Sequence, residues 1–308
     1  MPKTAKYILL LAAVLLASAV CTVLMFRPRA VNIVYMADAR YLPYMMVSLE
    51  SAIAGKNKGT QYHVHIIAKG FAPEDAAKIR KMAQDDVTIE LHSAREPKLD
   101  YARLGRFSSF KISLQKLFIA DYLPSLGKVL YLDADTLVQA DLSEVYETDL
   151  SGKYAAAVKD GLMYQFPEHV AGMDLNGRDF YFNSGVMLLN LAQIRKDGIM
   201  RRAVIYFNTH NEVFGDQDVL NVVFGSKVVP LSYRYNCNST FFEEKDAAFL
   251  SKFFNETVPQ NPREVYDSAA ILHFAGHKPW TPWFSHSYLK PLWYRYAAKV
   301  AEKYQMTF

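Results

Sequence analysis

The alternation of short apolar runs with helix-length segments constrains the fold of this chain most strongly. Segments 43–54, 73–84 and 109–122 have the length of helices. Strand-like runs, rich in β-branched and aromatic residues, span 31–37, 62–68, 87–92, 128–133, 154–158, 185–191 and 269–274. Strands that alternate with helices predict a single α/β/α sandwich with a mixed, mostly parallel sheet, which binds its ligands at the carboxyl ends of the strands.

Composition excludes several classes of protein. About half of the 308 residues are hydrophobic, which is ample for one large core. The net charge is +4, and the basic residues are spread along the chain, so nothing indicates a nucleic-acid partner. Two cysteines, Cys21 in the apolar N-terminal run and Cys237 alone in the globular part, exclude a disulfide framework.

A pair of carboxylates ends one predicted strand, in the stretch KVLYLDADTLV. Asp133 and Asp135 are two residues apart, so in an extended backbone their side chains can point the same way. Two like charges held together repel each other unless a cation lies between them, and a divalent ion is the obvious candidate. The chain has neither G-x-G-x-x-G nor a P-loop, so the sequence supports neither a dinucleotide dehydrogenase nor a Walker-type ATPase.

A second polar cluster accompanies the last predicted strand, in ILHFAGHKPW. The strand carries His273, Gly276 permits close approach of the backbone, and Lys278 offers a cation for a phosphate leaving group. If His273 joins the two aspartates, the mixed oxygen and imidazole set favours Mn²⁺ over Mg²⁺. The alternative at this point is a hydrogen-bonded core histidine.

Two further stretches allow a structural or a functional interpretation. In YFNSGVMLLNL, Asn183 and Ser184 precede a buried strand, as residues of a plain turn also would. In FGDQDVLN, the residues Asp216, Gln217 and Asp218 stand at a predicted helix start, where the helix dipole favours acidic residues in any case. His63 and His65 in YHVHIIA share one strand face, and we expect a solvated or hydrogen-bonded pair there instead of a metal site.

An uncharged run of twenty residues, 7–26, lies near the start of the chain. At about 1.5 Å per residue it spans a hydrocarbon core of about 30 Å, so we predict a single membrane helix. The alternative is a cleaved signal peptide with Lys3 and Lys6 before the small residues at 17–19, but the apolar run continues well past that site. The expected organisation is an anchor region at 1–29, a catalytic domain at 30–284 and a C-terminal amphipathic helix at 285–308.

Four motifs in the order LYLDAD, FNSGVMLLNL, DQDVLN and HFAGHKPW resemble glycosyltransferase family 8, over about residues 31–283. This retaining family includes glycogenin and bacterial lipopolysaccharide galactosyltransferases and glucosyltransferases. The resemblance implies the GT-A fold, a UDP-sugar donor, Mn²⁺ as cofactor with Mg²⁺ possible, and a glycan or glycolipid acceptor. The expected function is a retaining hexosyltransferase. The alternatives are a nucleotide-sugar-binding protein of the same fold that has lost catalysis, and a nucleotidyltransferase, which HFAGHKPW disfavours.

The resemblance also implies roles for individual residues. The metal ligands would be Asp133, Asp135 and His273. Donor-binding residues would be Ala37 and Asp38 at the uracil, Gly276 and Lys278 at the diphosphate, Asn183 and Ser184 at the sugar, and Lys116 where the family usually has arginine. Catalytic residues would be Asp160 and Asp216, which hold donor and acceptor hydroxyls, and Gln217, which lies nearest the anomeric carbon.

Mechanism and localisation are expected from the same resemblance. Because the residue nearest the anomeric carbon is the amide Gln217, a poor nucleophile, we expect front-side attack, with covalent catalysis by Asp160 or Asp216 as the alternative. Arg40 stands where asparagine is common, and the HFAGHKPW loop is one residue shorter than the usual form. With the predicted anchor, a bacterial protein would be a single-pass inner-membrane protein that faces the cytosol, and a eukaryotic one would face the Golgi lumen.

Overall fold

The structure, a computed structural model, describes residues 29–96, 98–102, 111–210, 214–238, 245–284 and 286–308. The strands in these residues are β1 (Arg29–Asp38), β2 (Thr60–Lys69), β3 (Val87–Ser93), β4 (Lys128–Leu132), β5 (Thr136–Val138), β6 (Ala155–Lys159), β7 (Phe182–Asn190), β8 (Val228–Pro230), β9 (Cys237–Asn238) and β10 (Ile271–His273). The α-helices are α1 (Leu42–Gly55), α2 (Pro73–Arg80), α3 (Ile119–Tyr122), α4 (Ser143–Tyr146), α5 (Leu162–Gln165), α6 (Pro167–Ala171), α7 (Leu191–Lys196), α8 (Ile199–Thr209), α9 (Asp216–Phe224), α10 (Ala247–Phe254), α11 (Pro262–Ser268) and α12 (Leu289–Tyr304). Two 3₁₀ helices span Ser113–Phe118 and Tyr233–Tyr235.

A mixed seven-stranded sheet forms the centre of the fold, with the strand order β3-β2-β1-β4-β7-β6-β8. The pairs β1–β2, β2–β3, β1–β4 and β6–β8 are parallel. Strand β7 is antiparallel to both β4 and β6. The predicted α/β class with a mixed, mostly parallel sheet is therefore confirmed.

Side chains that alternate along the strands divide the core into two layers. On β4, Leu130 and Leu132 belong to one layer, whereas Val129 and Tyr131 belong to the other. Helices α1 and α12 supply buried residues to the first layer; the first 3₁₀ helix, α3, α7, α8 and α9 supply them to the second. Parallel strands that are buried on both faces need continuous apolar runs, which explains why the sequence predicts them well.

A second, three-stranded sheet places the last predicted strand next to the two aspartates. Its order is β5-β10-β9, and β10 is antiparallel to β5. The backbone amide of Phe274 donates to the carbonyl of Asp135 at 3.0 Å, and the amide of Asp133 donates to the carbonyl of Gly185 at 2.7 Å. These bonds bring Asp133, Asp135, Gly185 and His273 together from three distant parts of the chain.

The structure gives no support for the predicted membrane helix. Among the described residues no helix is both long and apolar enough to cross a membrane. The longest of them, α12, has 16 residues, whereas a span needs about 20. The segment predicted to span the membrane, residues 7–26, lies outside the described residues. The predicted fold class is corrected to the α/β domain without that helix, and the single-pass membrane localisation is withdrawn.

Candidate active site

Two aspartates and a histidine meet just beyond the carboxyl end of β4. His273 Nε2 lies 3.3 Å from Asp135 Oδ1 and 3.7 Å from Asp133 Oδ2. One ligand atom from each of the three residues lies within 4.8 Å of the other two. Carboxylate oxygens suit Mg²⁺ and Mn²⁺, and the added imidazole moves the preference toward Mn²⁺. The residues present therefore fit the divalent ion that the sequence motifs imply.

Hydrogen bonds hold His273 in the tautomer that a metal ligand needs. Asn236 Oδ1 lies 2.9 Å from His273 Nδ1, and Asn236 Nδ2 donates to Asn183 Oδ1 at 2.9 Å. Because the Asn236 amide donates through its nitrogen, its oxygen accepts, and the proton of the imidazole lies on Nδ1. The lone pair of His273 Nε2 is then directed at the aspartates.

Gly185 leaves the space that the imidazole ring of His273 occupies. A Cβ atom at position 185 would overlap that ring and would lie 2.7 Å from Asp133 Oδ2. The Gly185 amide also donates to Asn183 Oδ1 at 2.8 Å. A glycine is needed at this position for close packing of the Asp133 and His273 side chains.

Lys116 lies beside the aspartates as a buried cation. Its Nζ is 3.2 Å from Asp133 Oδ1 and 2.9 Å from Asp216 Oδ2, and it donates to the Ser184 hydroxyl at 3.2 Å. Burial alone would lower the pKa of the Lys116 ammonium, but the two carboxylates outweigh it and raise the pKa to about 12. Lys116 therefore stays charged and offsets the repulsion between Asp133 and Asp216.

Lys278 forms an ion pair with Asp135 and donates to the carbonyl of Phe274 at 2.7 Å. Burial raises the pKa of Asp135, but Lys278 and His273 outweigh it and hold the pKa well below its usual range. Asp135 is therefore ionised at neutral pH, as a metal ligand must be. Gly276, two residues before Lys278, has a φ of 96°, a conformation that favours glycine.

Asp160, Asn183 and Gln217 form a hydrogen-bonded group in the same cavity. Asp160 Oδ2 accepts from Asn183 Nδ2 at 2.7 Å and from Gln217 Nε2 at 3.0 Å. Asp160 Oδ1 accepts from the amide of Leu162 at 2.9 Å, and Gln217 Oε1 accepts from the amide of Ser184 at 3.0 Å. Both ends of the Gln217 amide are thus engaged, so its orientation is fixed.

These groups line a cavity of about 510 Å³, a volume typical of a small-molecule site. The predicted residues that line it are Lys116, Asp133, Asp135, Asp160, Asn183, Ser184, Asp216, Gln217, His273, Gly276 and Lys278. No catalytic or binding role was predicted for the other lining residues, which are Ser113, Gly161, Leu162, Gln165, Phe166, Phe214, Gly215, Asn238 and Ala275. Several of these follow β6, in a stretch whose sequence carries no motif, so only the fold places them here.

Two predicted donor-binding residues, Ala37 and Asp38, do not line this cavity. Ala37 is fully buried within β1. Asp38 accepts a hydrogen bond from the amide of Tyr41 at 3.1 Å and pairs with the guanidinium of Arg40 at 2.7 Å. The unusual Arg40 therefore binds the neighbouring acidic side chain, and contact of Ala37 and Asp38 with a uracil stays a prediction.

Comparison with known proteins agrees with this geometry. The profile of the family described as Glycosyl transferase family 8 matches residues 32–284. The lipopolysaccharide 1,2-glucosyltransferase of Escherichia coli K12 is 28% identical over 265 residues, which are 82% of this chain and 73% of that protein. A relative in Haemophilus influenzae is 27% identical over 223 residues, 69% of this chain, and the aligned part spans 64% of that relative's length.

Solved structures share the fold. The galactosyltransferase LgtC, crystallised in complex with donor and acceptor sugar analogues, has a TM-score of 0.68 at 22% identity. That match covers 87% of this chain and 95% of LgtC. A bifunctional glycosyltransferase, WbbM, has a TM-score of 0.71 at 22% identity, over 90% of this chain and 51% of that one. At these identities the likeness supports the predicted GT-A fold and nothing finer.

Proposed function

The chain belongs to glycosyltransferase family 8, and on that premise we propose that it is a retaining hexosyltransferase that uses a UDP-sugar and Mn²⁺. Its acceptor is a glycan or a glycolipid. Residues 30–284 form the catalytic domain, and the segment 285–308 is its C-terminal helical part. The observation that carries this proposal is the convergence of Asp133, Asp135 and His273, with ligand atoms within 4.8 Å of one another, in a cavity.

The phosphate end of the donor would lie at the metal ligands and Lys278. Mn²⁺, when bound by Asp133, Asp135 and His273, supplies Lewis-acid stabilisation for a phosphate leaving group. Lys278 supplies a positive charge next to Asp135. The backbone at Gly276 leaves room for a close approach of the diphosphate.

Hydrogen bonding within the cavity favours front-side attack over a covalent intermediate. A nucleophilic carboxylate must present an available oxygen to the anomeric carbon. Asp160 accepts hydrogen bonds at both oxygens, which disfavours it as a nucleophile; Asp216 is held only at Oδ2, by Lys116 and by the Ser184 hydroxyl at 2.9 Å, so covalent catalysis by Asp216 stays the alternative. Gln217 lines the cavity with both ends of its amide fixed, and an amide is a poor nucleophile. In the proposed reaction the acceptor hydroxyl attacks on the face from which the phosphate departs, and the phosphate oxygen takes the proton.

The acceptor class follows from relatives and from the edge of the cavity. The Escherichia coli relative is named for lipopolysaccharide, a glycolipid. Phe166, 45% exposed, and Phe214 line the cavity with ring centroids 5.4 Å apart. Exposed aromatic faces suit the apolar faces of sugar rings. An acceptor glycan would therefore contact these two rings.

Release of UDP from a panel of UDP-sugars tests the proposal. The panel is run with Mn²⁺ and with chelator, on the wild type, on Asp135→Ala and on Asp85→Ala, an exposed carboxylate outside the cavity lining that serves as the matched control. We expect Mn²⁺-dependent turnover of one sugar in the wild type and in Asp85→Ala. Asp135→Ala should lose it, because the ion loses a charged ligand.

Two outcomes would refute the proposal. UDP bound tightly without turnover on any sugar and acceptor would make the chain a nucleotide-sugar-binding protein. Full turnover in chelator, or equal turnover in Asp135→Ala, would remove the metal from the mechanism. Anomeric configuration of the product, determined by NMR, separates retention from inversion in the same samples.

A further inference from the structure

A second group of potential metal ligands lies at the edge of the main sheet. His65 Nδ1 is 3.2 Å from His92 Nε2. Oxygens of the Glu90 carboxylate lie 3.5 Å from His65 Nδ1 and 3.6 Å from His92 Nε2. Ligand atoms at about 2.0–2.1 Å from one tetrahedral Zn²⁺ are about 3.3 Å apart. Each histidine nitrogen therefore lies at about this separation from the other histidine and from one of the two Glu90 oxygens, and one ligand atom from each of the three residues lies within 4.8 Å of the other two.

The sheet register produces this group. Strands β2 and β3 are parallel, and His65 pairs directly with Glu90. Glu90 and His92 are two residues apart on β3, so their side chains share the face on which His65 lies. Strand β3 is the edge strand of the sheet, and none of the three residues lines the cavity of the candidate active site.

The two imidazoles of this group are largely buried, whereas its carboxylate is exposed. The side chains of His65 and His92 are 12% and 18% exposed, whereas that of Glu90 is 65% exposed. His65 Nε2 is buried and has no hydrogen-bond partner among the described residues. Nε2 is the ring nitrogen that does not face Glu90 and His92, so it is not a ligand of the proposed ion, and the site is argued from Nδ1.

We propose that His65, Glu90 and His92 bind a zinc ion that joins the edge strand β3 to β2. Two imidazoles with one carboxylate form a ligand set that suits Zn²⁺ better than Mg²⁺ or Ca²⁺. Three protein ligands leave the fourth tetrahedral position to water, and the exposed Glu90 marks the side on which solvent reaches it. The ion stabilises the sheet edge and takes no part in sugar transfer.

Zinc stoichiometry in matched variants tests this site. The protein is equilibrated with Zn²⁺, desalted and analysed by mass spectrometry of the metal. His92→Gln and Glu90→Gln should each retain one zinc ion fewer than the wild type. His63→Gln is the matched control, because His63 lies on the same face of β2 but contacts Thr88 Oγ1 at 2.9 Å. Zinc bound by the aspartate cluster is common to all samples and cancels in the difference.

Two further measurements keep the test decisive if a histidine variant folds poorly. Glu90→Gln alters an exposed side chain and preserves its shape, so the fold should tolerate it. The X-ray absorption spectrum of zinc in the wild type, minus that in Glu90→Gln, should show nitrogen and oxygen neighbours at about 2.0–2.1 Å. Zinc should raise the Tm of the wild type and of His63→Gln more than that of Glu90→Gln. If the wild type, His92→Gln and Glu90→Gln bind equal amounts of zinc, the proposal is wrong and the cluster is held by hydrogen bonds alone.

Discussion

Gly185→Ala should disable the proposed metal site without removing any ligand. The added methyl group would overlap the ring of His273, and it would lie 2.7 Å from Asp133 Oδ2 and 2.9 Å from His273 Nδ1. The ring must then move. It is only 3% exposed and is bonded to Asn236, so it can move only by breaking that hydrogen bond and displacing its neighbours.

The expected size of the effect follows from this crowding. Overpacking of a filled site costs about 1–3 kcal/mol, and a domain of about 150–250 residues loses about 2–4 °C of Tm per kcal/mol, so we expect a Tm lower by about 2–12 °C. Displacement of a reacting group by about 1 Å can cost about 100-fold in rate. We therefore expect at least about a 100-fold loss of kcat/KM for sugar transfer, together with weaker binding of Mn²⁺.

Gly127→Ala provides the control. Position 127 has no atom within 4 Å of an added Cβ and no positive φ, so the same chemical change meets open space. Transfer rates measured against Mn²⁺ concentration, with Tm by calorimetry, compare the two variants with the wild type. Wild-type transfer and wild-type Mn²⁺ affinity in Gly185→Ala would show that His273 is not a metal ligand.

Three other perturbations have expected outcomes. Lys116→Met leaves the carboxylates beside it without their buried cation; removal of one partner of a buried ion pair typically costs about 3–5 kcal/mol, measurable by urea unfolding, and Mn²⁺ should restore part of the loss. Asn236→Ala removes the acceptor for His273 Nδ1, so Mn²⁺ titration should show about 10–100-fold weaker binding, and an unchanged affinity would contradict the assigned tautomer. Burial raises the pKa of the Cys237 thiol far above the value of about 8.5 in the unfolded chain, so the unfolded state loses its proton first and stability falls as pH rises. Between about pH 7.5 and 10 this loss amounts to about 2 kcal/mol; Cys237→Ala should unfold in urea without that part of the pH dependence, and equal slopes in both proteins would refute the prediction.

Strand positions were predictable because the central strands are buried on both faces. The predicted runs 31–37 and 128–133 correspond to β1 at Arg29–Asp38 and β4 at Lys128–Leu132. Strands β5, β8 and β9 have two or three residues each, too short for any periodicity; β10 is as short, but it lies inside the longer apolar run 269–274 that was predicted. The predicted helix 109–122 begins outside the described residues, and its described part contains a 3₁₀ helix followed by a short α-helix. In so short a segment the spacing of apolar residues does not distinguish a 3₁₀ helix from an α-helix.

Side-chain pairs within one strand were predictable, but pairs between strands were not. The spacing of Asp133 and Asp135 predicts a shared strand face; the two carboxylates do come together, but in the turn between β4 and β5 and not on an extended strand. The sequence also shows His63 and His65 on one face, but it does not show that Glu90 and His92 lie beside His65, because that depends on the register of β2 and β3. His63 and His65 each have a hydrogen-bond partner, as expected, and the zinc site is a proposal that goes beyond that expectation.

The contacts of Lys116 differ from the role that the family motif implies for it. A lysine in place of the family's usual arginine would bind a diphosphate as a point charge, without the paired donors of a guanidinium. In the structure its ammonium is buried between Asp133 and Asp216 and also contacts Ser184, so its three donors already have partners. A compact ammonium fits between these side chains, whereas the planar guanidinium of arginine would need more space between them. Removing Lys116 should therefore act first on the two carboxylates, and on the diphosphate only through the metal that Asp133 binds.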